Sequence, residues 1–152
     1  MDTTALEAAY TDLIAAARAI GEPTPEADWT LSHIALSDRM LATAARRLDA
    51  NLPVTIDNRP AMDADAIAAL IASTTHAERI DLVRRHGADL VAAIGELPEA
   101  AATVAVRLRL ITRGGEPAPD QDLTWGDLVR LRVRDHLPGH AARLSGSSTR
   151  SC

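Results

Sequence analysis

Four long stretches of this chain repeat apolar residues every three to four positions, the period of an α-helix rather than a strand. In the first, Leu6, Tyr10, Leu13 and Ala17 share a face, Thr4 and Glu7 form a Thr-x-x-Glu capping pair, and Gly21 and Pro23 end it. The second stretch sets Leu31, Ile34, Leu41, Ala45 and Leu48 on one stripe, broken by Asp38. The third starts from Asp63, a good N-cap, and runs through Ile67, Ile80, Val83, Gly87 and Leu90 to Ile94, with Gly95 as its C-cap. The fourth opens with Thr124-Trp125-Gly126-Asp127, a Thr-x-x-Asp capping pair, and carries Leu128, Val133, His136, Leu137, His140 and Leu144. Helices are therefore predicted near 4–20, 29–49, 63–94 and 124–144, packed as one all-α bundle. Aromatic residues make up only 2% of the chain and Phe is absent, so the core must come from Ala, Leu, Ile and Val. Ala favours helix, and small side chains let helices approach closely. Gly87 marks a bend or a close helix contact, and Tyr10 is expected in the core with its hydroxyl at the rim.

The intervening segments read differently. Residues 22–28 form a turn-rich linker with two prolines. Residues 51–62 carry Pro53, Pro60 and the polar run Asp57-Asn58-Arg59, and read as a long loop, either a functional lid or plain surface. From Val104 to Leu110 the period changes to two, with Val104, Val106, Leu108 and Leu110 alternating with Ala105, Arg107 and Arg109. That is strand patterning, and it allows a short strand or hairpin before the last helix. Ala and Arg also tolerate a short helix over 99–109, and the two readings stay open.

At 152 residues the chain suits one domain, assigned to 1–144, with the Ser-rich segment 145–152 as a flexible tail. The single cysteine, Cys152, leaves no internal disulfide framework and is expected to be exposed. A net charge of −5 argues against a nucleic-acid binder. No apolar run has the length of a membrane span, and no basic-then-apolar leader pattern opens the chain. A cytoplasmic protein without nucleic-acid or membrane partners is the default expectation.

The chemistry concentrates in the last helix. His136 and His140 are four positions apart, on one helix face and about 6 Å apart along the axis. Two imidazoles so placed can share a metal ion, but a reactive site needs a third protein ligand and an open position. His33, at the edge of the second stripe, is the candidate third; taken alone, such a residue is more often packed or solvated. Between the paired histidines stand Pro138 and Gly139. Pro138 removes one backbone bond and crowds the carbonyl of Arg134, which predicts a kink or a widened turn. Asp38 either orients a ligating imidazole as an acceptor or is half exposed, the second reading being slightly ahead. His76 and His86 cannot act as an i,i+4 pair and are expected at surface or boundary positions. Three neutral imidazoles suit Zn²⁺, Ni²⁺ or Fe²⁺, with each nitrogen about 2.0–2.1 Å away if the ion is zinc. Affinity is expected to fall below about pH 6, because free histidine titrates near 6.5.

Trp29-Thr30-Leu31-Ser32-His33-Ile34-Ala35-x-x-Asp38 resembles the "W-[ST]…H-[IL]-A…D" segment of the DinB/YfiT-like superfamily. Leu123-Thr124-Trp125-Gly126-Asp127-Leu128, followed by His136-x-x-x-His140-Ala141-Ala142-x-Leu144, is similar to that family's closing "G-[ED]-L…H-x-x-x-H…L" helix. The resemblance implies a four-helix bundle with a long crossover and a three-histidine metal site at His33, His136 and His140. It also implies transfer, isomerisation or hydrolysis involving a small thiol such as mycothiol, or an electrophilic small molecule. The Pro138-Gly139 insert and the alternating stretch before the last helix depart from the pattern. The body of the chain has no Cys and no Gly-x-Ser-x-Gly elbow, so the metal or a thiol cosubstrate would carry the reactivity. Trp29 and Arg59 are candidate substrate-binding residues. Arg59 can hold a carboxylate or phosphate bidentately, or simply be solvated. Two rival readings are a non-enzymatic metal or small-ligand binding bundle and an interaction module with structural histidines. A homodimer is compatible with all three.

Overall fold

The computed structural model describes residues 1–147, and most of them are helical. Helix α1 spans Thr4–Arg18 and α2 spans Pro25–Asp49. A short strand β1, Thr55–Asp57, leads into the single turn α3, Arg59–Met62. Helices α4, Ala64–Ser73, and α5, His76–Glu96, follow. A 3₁₀ turn at Glu99–Thr103 precedes strands β2, Ala105–Arg109, and β3, Gln121–Thr124. The chain then enters α6, Trp125–Leu131, a π turn, Arg132–His136, and α7, Leu137–Ser147. Helix α2 packs most extensively on α5, α1 lies against both α5 and α7, and α2 also meets α7. Leu13, Leu31, Ile34, Leu90, Ile94 and Leu137 fill the space between them. No helix among the described residues is long and apolar enough to cross a membrane.

Several boundaries differ from those predicted, each for a local reason. Helix α2 starts at Pro25 instead of Trp29, because the Thr24 side chain accepts from Ala27 N–H and a proline at the first helical position sacrifices no bond. The expected Thr4–Glu7 box is not formed; the Asp2 carboxylate takes the Thr4 N–H at 2.9 Å, and Thr3 Oγ1 donates to Glu7. The long third helix is two helices. Thr74 is extended, and Thr75 with Glu78 forms a full capping box that starts α5. The Arg79 guanidinium donates to the Ile71 and Thr74 carbonyls left open at the end of α4. Gly95 is not a C-cap, since α5 continues to Glu96 and stops at Leu97 before Pro98. At the other end, α7 continues to Ser147, so 145–147 are helical and not part of a flexible tail; the remainder of the expected tail, with Cys152, lies outside the described residues.

The alternating stretch is a strand, and the competing helical reading survives only as the 3₁₀ turn before it. Val106 and Leu108 face the core, while Val104, just before the strand, is exposed. β2 is the centre of a three-stranded sheet, parallel to β1 (Ile56 opposite Leu108) and antiparallel to β3 (Val106 opposite Leu123). The fold is therefore mostly helical but not all-α. The segment expected to be a long loop at 51–62, a lid or plain surface, contains β1 and α3. Its Asn58 side chain ties it to the far end of β2, accepting from Ile111 N–H at 2.7 Å and donating to Ile111 O at 3.0 Å.

Candidate metal centre

Each histidine of the cluster is positioned by a different local device. His33 lies on α2 and is buried. Its Nδ1 is 2.8 Å from the Ala61 carbonyl on α3, so Nδ1–H donates and Nε2 is left as the free nitrogen. A backbone carbonyl behind an imidazole in this way orients the ring and sets its tautomer. His136 closes the π turn, where the Leu137 N–H bonds the Arg132 carbonyl five residues back. The widened turn is the deformation expected from Pro138, which has no N–H to offer and a ring that crowds the preceding turn. His140 follows one turn later on α7 and is buried.

The fold brings these three together. Ring centroids are 5.6 Å apart for His33 and His136, 5.4 Å for His33 and His140, and 4.6 Å for His136 and His140. One ring nitrogen from each lies within 4.8 Å of the other two, so the three could hold a metal ion. His140 Nδ1 is buried without a hydrogen-bond partner. A buried polar atom is normally satisfied, and a lone pair reserved for a cation is one way to satisfy it. With no carboxylate or thiolate among them, the donors are three neutral nitrogens, a set suited to zinc, nickel or iron(II).

The electrostatics favour neutral rings. Burial, with the Arg132 charge adding to it, lowers the His136 pKa to about 2. Burial and then the neighbouring His33 and Arg143 lower that of His140 to about 3. His33 is also lowered, by burial first. All three shifts run downward, so burial and the nearby charges favour the neutral rings and move protonation below the free-histidine value near 6.5.

Behind the cluster sits a network with no counterpart in the sequence reading. Asp38 is fully buried, not half exposed, and its hydrogen bonds go to Tyr10 and Arg132, not to an imidazole. It pairs with Arg132, itself buried, and accepts from Tyr10 Oη at 2.5 Å. Arg132 also donates to Tyr10 Oη and Ser37 Oγ, each at 3.3 Å, and its Nη1 sits 3.4 Å from His136 Nδ1. Asp38 thus bears on the site through Arg132, as a counter-charge two residues removed from the ligands. The Tyr10 hydroxyl is at the centre of this network and not at the rim. Burial raises its pKa far above the ordinary tyrosine range. The signal available in the sequence was a pair of opposite charges, Asp38 and Arg132, each interrupting an apolar stripe. Opposite charges at two otherwise apolar helix faces are expected to meet.

The remaining candidates separate. The Trp29 ring stacks on His33, centroids 5.0 Å apart and 12° from parallel, and Arg113 lies over Trp29 at 3.9 Å. Trp29 therefore belongs to the wall of the cluster. Arg59 does not: its side chain is exposed and held by Asp57 in the adjacent strand, so its fork is already occupied. His76 bridges toward Asp28 and the Ala17 carbonyl, and His86 donates from Nδ1 to Ala35 O at 2.8 Å. Both are partly buried boundary residues with partners away from the cluster. No family model, curated protein or solved structure matches the chain.

Proposed function

We propose that this chain is a divalent-metal-dependent enzyme of the DinB/YfiT-like kind, built as a four-helix bundle and acting on a small molecule. His33, His136 and His140 would hold the ion. The observation that carries this reading is the convergence of three imidazoles, His33 and His140 buried and His136 partly buried, with a buried ring nitrogen of His140 left unpartnered. An ion of the Zn²⁺, Ni²⁺ or Fe²⁺ kind supplies Lewis-acid polarisation at such a site. The chain's own groups do the rest. Ala61 O fixes the His33 tautomer, Trp29 covers the His33 face, and Arg132 with Asp38 opposes protonation of His136 without adding net charge. The body of the chain offers no cysteine or serine elbow, which favours transfer or isomerisation with a small thiol such as mycothiol as cosubstrate, or hydrolysis.

The test is metal content by mass spectrometry of the purified protein, together with titration of chelator-treated protein with Zn²⁺, Ni²⁺ and Fe²⁺. His136→Ala and His140→Ala are expected to lower affinity at least tenfold, whereas His76→Ala and His86→Ala leave it unchanged. If His136→Ala binds as tightly as the parent, the site is wrong. If metal binds but no thiol-dependent or hydrolytic turnover of electrophilic substrates appears, the protein is a metal-binding bundle and not an enzyme.

A further inference from the structure

Beside the histidines a chamber of about 410 Å³ opens between α2, α6, the π turn and the sheet. Its size lies at the lower end of small-molecule sites, roughly 300–1,000 Å³. Met40, Leu41, Met62, Leu108, Leu110 and Leu128 supply much of its wall, and His33 and His136 belong to the same wall. Imidazoles aside, the polar groups on it are neutral apart from Arg132, and most of their acceptor capacity is taken. The Asn58 amide is bonded on both sides to the Ile111 backbone. Ser37 Oγ accepts from Arg132, and Thr112 Oγ1 accepts from Glu116 N–H. Among the described residues lining the chamber, Arg132 alone is a cation, and it is buried against Asp38. With no ion at the histidines, no free positive group among these lining residues faces the space, so an anion entering it would exchange its water for neutral donors at best.

We propose that this chamber receives an uncharged ligand with an aliphatic body, and that its wall, without an ion at the histidines, discriminates against carboxylates and phosphates. At about 30 Å³ for each water-sized group, the volume accepts roughly ten non-hydrogen atoms with space to spare. The bound molecule is the electrophilic partner of the proposed reaction, its reacting end beside His33 and His136. That end rests on the metal-site reading; the selectivity belongs to the apolar wall and is measurable without metal.

Three methionines make the experiment self-controlled. Met40 and Met62 line the chamber, while Met1 is held at Leu97 by its amino group. The full chain, labelled with ¹³C at the methionine methyls and freed of metal by chelator, is titrated separately with 1-octanol and with octanoate. The expected result is saturable movement of the Met40 and Met62 signals with 1-octanol, an unmoved Met1 signal, and octanoate binding at least tenfold weaker. Ala118→Trp, which places a large ring in the wall, is expected to abolish the 1-octanol shifts. The proposal is overturned if Met40 and Met62 do not respond, if all three methionines move alike, or if octanoate binds as tightly as 1-octanol. Full binding by a folded Ala118→Trp protein overturns it as well. Should that variant not fold, the contrast between the two probes in the parent chain decides. A protein that binds 1-octanol as expected but takes up none of Zn²⁺, Ni²⁺ and Fe²⁺ refutes the metal site and leaves the chamber assignment standing.

Discussion

Arg132 can lie in the core only because Asp38 meets it there. A guanidinium and a carboxylate taken out of water each carry a desolvation cost of several kcal/mol, offset by their mutual attraction and by the bonds from Tyr10 and Ser37. Removing one partner leaves the other charged and alone. Asp38→Asn or Arg132→Met is therefore expected to destabilise the fold by about 3–5 kcal/mol, and the double replacement Asp38→Leu/Arg132→Met to recover a large part of it. Urea denaturation of the three variants decides this; equal losses for the single and double replacements would show that the pair is not coupled. The histidines carry a pH dependence of their own. Their folded pKa values lie below the unfolded value near 6.5, so below that pH the unfolded chain binds protons that the native rings do not. Stability is complete above about pH 6.5 and declines as the pH falls toward the folded values, by up to about 1.4 kcal/mol per pH unit for each fully shifted ring. Metal-free protein should accordingly lose stability between pH 6.5 and 4.5 more steeply than a His136→Ala/His140→Ala variant. Parallel profiles would show that the rings titrate as free histidines.

At the scale of elements, the site depends on how closely α1 and α5 approach. A Cβ built on Gly87 would sit 2.8 Å from Tyr10 Cε1, inside any tolerable contact. Tyr10 is held by Asp38 and Arg132, so its ring cannot simply swing away. Gly87→Ala is expected to cost about 1–3 kcal/mol through overpacking, read from the denaturation midpoint, despite alanine's better helix propensity. A stabilised variant would mean that the ring has room to move and that the network is looser than its hydrogen bonds indicate. The π turn is the second such device. By widening the last helix just before Pro138 it leaves His136 on one side of the proline and His140 on the other, with both rings near His33.

At the scale of the whole molecule, the three ligands come from helices more than a hundred residues apart in the chain, α2 and the π turn with α7. An ion bound by all three would cross-link elements that meet only in the native state. Zinc at about a hundred times its dissociation constant should stabilise the fold by about 2.7 kcal/mol, which corresponds to a Tm rise of roughly 5–10 °C for a chain of this length. Chelator should reverse the rise, and His136→Ala should abolish it. A Tm indifferent to zinc, nickel and iron(II) in the parent protein would leave the cluster without a metal role.

The sequence alone determined which stretches would be helical, since periodic apolar positions and Ala-rich composition act locally. It offered the strand at 105–109 beside a short helix, and called for a kink or a widened turn at Pro138, because alternation and the missing N–H are properties of neighbouring residues. It singled out the three histidines as a set by spacing and resemblance. The break between α4 and α5 was also legible, in Thr75 and Glu78, but the apolar period runs through it and conceals it. Other features were settled only by tertiary contact. β1 and β3 carry little pattern of their own and exist because β2 pairs with both. Asp38 and Tyr10 look like a half-exposed acid and a rim hydroxyl until Arg132 arrives from the far end of the chain. The burial that favours neutral imidazoles, and the apolar wall beside them, arise from residues distant in sequence and adjacent only after folding. Spacing along a helix places two side chains on one face; only the packing of several elements decides what surrounds them.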